Sequence, residues 1–137
     1  MTLRSLPAAL GIALCATALA GCGTSSTTVG FKGTEHTAAE AVANLASAAS
    51  AGEGSKICDD YLTRATVAAL GGHKGCEKAI KDQLAEIDNL EVSVTSVKLA
   101  PDGHSATAQV RSIYAGKTKA RAVALLEEDG SWKVSGP

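Results

Sequence analysis

The sequence predicts an α+β domain in which three helices precede a four-stranded antiparallel meander. Three observations carry the prediction. Apolar residues recur at helical spacing from Ala38 to Ile87, the period falls to two from Leu90 onward, and turn residues separate the alternating runs. Helices grouped before strands, rather than interleaved with them, give the α+β order.

The first helix is expected from Thr37, because Thr37-Ala38-Ala39-Glu40 reads as a capping box. Ala38, Ala41, Val42, Leu45, Ala48 and Ala49 form its small-residue face, and Gly52 ends it after Ala51. A short second helix is expected from Ser55 to Leu62, with Ile57/Tyr61 and Cys58/Leu62 as adjacent i,i+4 pairs. Thr63 to Leu70 adds a turn or two before Gly71-Gly72. A third helix is expected from Gly75 to Ile87, with Cys76, Ile80, Leu84 and Ile87 as its apolar stripe.

In the first strand Leu90, Val92 and Val94 alternate with polar residues, and Val97 and Leu99 continue on the opposite parity. That slip predicts a bulge near Thr95-Ser96. Pro101-Asp102-Gly103 turns the chain into a second strand with Ala106, Ala108, Val110, Ser112 and Tyr114 inward. Ala115-Gly116-Lys117 turns again, Lys119 to Glu127 is the third strand, and Asp129-Gly130 leads into Ser131 to Ser135. Arg111 and Arg121 fall at positions alternating with the inner set and read as a solvated face.

Ahead of this domain lies a different kind of segment. Arg4 gives a basic start, Leu6 to Leu19 is an apolar run, and Leu19-Ala20-Gly21-Cys22 closes it. The run is short and Ala-rich for a membrane span, which needs about 20 strongly apolar residues. Residues 1–22 resemble bacterial lipoprotein signal peptides, and the four-residue lipobox matches at every position. The resemblance implies cleavage before Cys22, an S-diacylglycerol cysteine there, and N-palmitoylation of its new amine. It places the protein on the extracytoplasmic face of the cell membrane, held by covalent lipid. Two or more acyl chains hold a protein stably at a bilayer. Cys15 leaves with the signal.

Residues 22–36 then read as a flexible tether and residues 37–137 as the domain. Val29 and Phe31 either dip into the bilayer, dock on the domain, or belong to the linker. Removing residues 1–21 takes one of the 13 Lys and Arg, against 14 Asp and Glu, so the mature charge is near −2. The signs are interspersed, without a basic patch among aromatics, which argues against nucleic acid as a partner.

The capped helix, the Cys58 and Cys76 pair, the bulged first strand and the ending Asp129-Gly130-Ser131-Trp132-Lys133-Val134 resemble the NTF2-like (cystatin-like) superfamily. The resemblance covers about 100 residues and implies a cone: helices packed inside a curved sheet, with a pocket at the wide end. Some members are ketosteroid-isomerase-like or polyketide-cyclase-like enzymes; others bind ligands or serve as dimers and interaction platforms.

In an exported chain, with Cys22 lipidated, Cys58 and Cys76 remain as one disulfide or as two separate buried thiols. Tyr61, Tyr114 and Trp132 are candidate ligand-binding residues, with core packing as the alternative. His36, His73 and His104 read as surface residues. No Gly-x-Ser-x-Gly, P-loop or His-Glu-x-x-His motif occurs, so no catalytic residue, metal or cofactor is expected. Isomerase-type chemistry needs a pocket carboxylate and an oxyanion donor; Asp60 with Tyr114 is the pair the sequence offers. The expectation is a non-enzymatic domain that binds a small apolar ligand or an envelope protein, with an isomerase-like enzyme or a structural homodimer as alternatives.

Overall fold

The structure, a computed structural model, describes residues 30–87 and 89–136. The expected signal peptide and lipidated Cys22 lie outside them, as does the tether up to residue 29. Helix α1 is Gly33–Ser50, α2 is Gly54–Lys56 continuing into a π turn at Ile57–Tyr61, α3 is Arg64–Ala69 and α4 is Gly72–Leu84. Strands β1 Glu91–Leu99, β2 Ser105–Tyr114, β3 Lys117–Glu128 and β4 Ser131–Ser135 follow. They form one open antiparallel sheet in the order β1-β2-β3-β4.

Helix α1 lies on one face of this sheet. Ala38, Ala39, Ala41 and Val42 pack with Val94, Ala106, Ala108, Val110, Leu125 and Trp132. Ala38, Ala39 and Ala108 are completely buried, so small side chains set a close approach of helix to sheet. A second cluster joins the back of α1 to the remaining helices through Ala48, Ile57, Leu62 and the disulfide between Cys58 and Cys76.

The helix starts four residues before the expected cap. Lys32 precedes the first turn without a side-chain cap, and the Thr37 hydroxyl donates instead to the Thr34 carbonyl at 2.9 Å. The capping box therefore does not form. Glu40 reaches His36 one turn back (3.5 Å), and Glu35 supplies negative charge to the first turn. The domain also begins earlier than residue 37, because Phe31 packs against the sheet core.

The second helical segment ends in a π turn because its last residues serve the sheet. Leu62 adopts extended backbone and forms a parallel bridge with Val134, while the Thr63 amide donates to the Val134 carbonyl at 3.0 Å. Helix α4 starts at Gly72 rather than Gly75 and ends at Leu84, so Ile87 falls beyond it. Gly71, with φ of 93°, turns the chain between α3 and α4.

Among the described residues Thr63 is the one polar side chain in the buried set. Its hydroxyl accepts from the Thr66 amide at 3.2 Å, capping α3, and shares a 2.8 Å bond with the Thr66 hydroxyl. Thr66 Oγ1 in turn accepts from the Gly136 amide at 2.7 Å, fastening the end of β4 to α3. Thr63→Ala is expected to cost about 1–2 kcal/mol in urea unfolding, the loss typical of a helix cap, and Thr63→Ser distinctly less.

In the sheet, the register shifts between Val94 and Ser96, leaving Thr95 as the bulged residue. Its hydroxyl donates to the Gln109 carbonyl at 3.1 Å. Strand β3 begins two residues earlier than the alternation suggests, at Lys117. Val110 pairs directly with Arg121, and directly opposed residues share a face. Arg121 thus lies on the inner face, not the alternating one. It is nevertheless exposed.

Candidate functional site

The expected pocket residues do not come together as a set. Tyr61 and Trp132 line one open groove of about 700 Å³, with Asp60, Glu40, Glu127 and Lys133. The groove lies where the first turns of α1 meet the start of β4 and the two turns at Gly103 and Gly130. The π turn delivers Asp60 and Tyr61 to it while burying Ile57 and Cys58 on its other side. Trp132 is 8% exposed and belongs to the core cluster, so it contributes an edge to the groove floor rather than a free ring.

Tyr114 is elsewhere. It pairs with Lys117 at the far end of β2, nine residues from Ser105, or about 30 Å along the strand. Its hydroxyl donates to the Glu86 carbonyl at 2.5 Å, tying the β2–β3 hairpin to the end of the helical layer. Tyr114 is therefore a strut, and it does not line the groove of Tyr61 and Trp132. The pairing of Asp60 with Tyr114 fails for the same reason: the two stand at opposite ends of the sheet.

Polar contacts around the groove are mostly internal. Lys133 Nζ donates to the Asp59 carbonyl at 2.8 Å. His104 Nδ1 lies 2.8 Å from Glu127 Oε2, and Arg64 pairs with Asp129. The Asp102 carboxylate holds the turn beside Gly103. Its acceptor sites take the Ser105 hydroxyl at 2.8 Å and the His104 and Ser105 amides at 2.8 and 3.0 Å. The Ser105 hydroxyl, then the two amides, keep that carboxyl below its ordinary range. A lowered acid contributes stability at neutral pH and loses it as pH falls through the lowered value.

His73 reaches two carboxylates that flank the disulfide in sequence, with Nε2 at 2.9 Å from Asp59 and Nδ1 at 3.7 Å from Glu77. All three side chains are about half exposed. Among the described residues no group of three or more His, Cys, Asp or Glu side chains is placed to hold a metal ion. Chemically, the groove offers a shallow, mixed-charge surface with an aromatic floor.

No protein-family model matches the chain. No curated protein matches it either. Among solved structures, one described as a crystal structure of a de novo designed protein with curved β-sheet is similar over 46% of this chain and 58% of that one. The two are 19% identical over the match, with a TM-score of 0.37, and the match spans a little over half of the designed chain.

Proposed function

We propose that this protein is a lipid-anchored lipoprotein of the cell envelope, fixed through Cys22, whose NTF2-like domain is a non-enzymatic interaction platform. The anchoring half of this reading rests on Leu19-Ala20-Gly21-Cys22 after an apolar run. Among the described residues no helix is long and apolar enough to cross a membrane.

The observation that carries the interaction half is the direct seating of α1 on the sheet. Ala38, Ala39 and Ala108, each at 0% exposure, pack α1 directly against the sheet. A substrate or apolar ligand deep between helix and sheet would have to displace packed core. The groove beside Trp132 and Tyr61 is instead open, polar and reachable by a protein partner.

Mass analysis of the mature protein is expected to show a chain beginning at Cys22 with a diacylglyceryl group and a further acyl group. Cys22→Ala is expected to abolish incorporation of a palmitate analogue. An unmodified N-terminus would overturn the anchoring. For the interaction half, a photo-crosslinker at Asn44, on the groove wall, is expected to capture a discrete envelope protein in intact cells. Absence of any adduct from that wall would count against the platform.

A further inference from the structure

The fold gathers charges that the sequence scatters. Between Gly103 and Leu126 there is no acidic residue, and the cations are Arg111, Lys117, Lys119 and Arg121. Register fixes their faces. Tyr114 pairs with Lys117, Ser112 with Lys119 and Val110 with Arg121. Val110 belongs to the core beneath α1, so these three cations stand on the same, inner face, where they are exposed. Alternate residues of a strand repeat every ~6.8 Å, so the three charges form a row ~14 Å long. All three are exposed, and none enters the ion pairs found among the described residues. The neighbouring inner positions on β1 and β2 are Val92, Ser112 and Tyr114, all uncharged, and the Tyr114 hydroxyl donates to the Glu86 carbonyl.

We propose that the Lys117, Lys119, Arg121 row binds a linear polyanion, a polymer with regularly spaced phosphate groups. Charge complementarity and linear spacing favour an extended polymer over a single small anion, for which one cation in a closed pocket would serve. Placement favours a polymer over the bilayer. The first turns of α1, which follow the anchored segment, adjoin Gly130 and Trp132 at the opposite end of the sheet. Strand β3 has 12 residues and spans ~40 Å, so the row lies at the end of the sheet far from the first turns of α1. That the polymer belongs to the cell envelope rests on the anchoring proposed above; the affinity for polyanion does not.

Among the described residues strand β3 has a free edge here, since β4 pairs only from Ala124 onward. Lysine on a free edge also blocks strand-to-strand aggregation, and a charge of either sign can serve that role. Charge reversal therefore separates the two: it preserves solubility but removes polyanion affinity.

The test uses the purified full-length product as the cell makes it, in zwitterionic nanodiscs if lipidated and in buffer if not, so its outcome is independent of anchoring. Binding of fluorescent inorganic polyphosphate is expected, with a log–log salt slope of about −2 for three contacts. K117E/K119E/R121E is expected to weaken binding about tenfold or more. Arg111→Glu removes one cation from the other face of the same hairpin, where Arg111 pairs with Ala120, and is expected to change affinity less than about threefold. Should the triple variant not fold, Lys119→Gln is expected to reduce the slope by about 0.7. Absence of polyphosphate binding, or a loss in Arg111→Glu equal to that in the triple variant, overturns the proposal. So does contact of a probe at Gly116 with anionic nanodiscs in a protein that ignores polyphosphate.

Discussion

Opening the Cys58–Cys76 bridge is expected to lower the stability of the domain by about 3 kcal/mol, the chain-entropy value for a loop of this size. The two cysteines are 18 residues apart, and the loop they close contains the end of the π turn, α3 and the start of α4. Those helices bury little of their own surface. Helix α3 has no buried residue, and α4 has only Cys76. The cluster around the bridge is small, comprising Ala48, Ile57 and Leu62 with partly buried neighbours such as Val67 and Ile80. Single domains have about 5–15 kcal/mol in total, so the bridge is a large share. Cys58→Ala/Cys76→Ala is expected to lower the melting temperature by about 15 °C. Hydrogen exchange should quicken first in α3 and α4, while amides of β2 and β3 stay protected. A variant that loses less than about 1 kcal/mol would mean that the loop is held by its packing rather than by the crosslink.

Much of this fold was legible because strands and turns announce themselves locally. The parity slip from Val94 to Val97 foretold the bulge that the register places at Thr95. Asp129 and Gly130, both with positive φ, form the turn their dipeptide implies. The helix starts were less legible. Thr37 and Glu40 have the spacing of a capping box, yet Thr34 to His36 continue the helix backward, and Thr37 then bonds within it. A local cap signal loses when the preceding residues can also be helical and Phe31 gains core contacts.

The candidate site was legible by face but not by position. Alternation puts Tyr114 and Trp132 on the same side of the sheet, and the register agrees. Periodicity says nothing about distance along a strand, and these two rings end up at opposite ends. The same limit hid the basic row. Lys117, Lys119 and Arg121 look like polar residues on a solvated strand until pairing with Tyr114, Ser112 and Val110 reveals the inner face. An inner face is apolar only where something covers it, and on β3 the positions Lys117, Lys119 and Arg121 are exposed.

Gly75→Ala is expected to destabilise the protein by about 3 kcal/mol, although helix propensity alone predicts a gain of about 1 kcal/mol. Gly75 sits in the first turn of α4, where alanine is ordinarily the better residue. Here a Cβ would stand 2.1 Å from the Leu70 carbonyl oxygen and 3.0 Å from its carbon. Both atoms are backbone, at the end of α3, so no side chain can swing aside. Relief requires α3 and α4 to separate at their shared corner. That movement is opposed from the next residue, because Cys76 is completely buried and bridged to Cys58. Gly54→Ala is the matched control. Its Cβ would meet the Ile80 side chain at 3.7 Å, an ordinary contact, and the change is expected to be neutral or slightly stabilising. Urea unfolding of the two variants reads the difference directly. If Gly75→Ala proved as stable as the parent, α3 and α4 would not be packed backbone to backbone, and the corner that presents both cysteines to each other would need a different geometry.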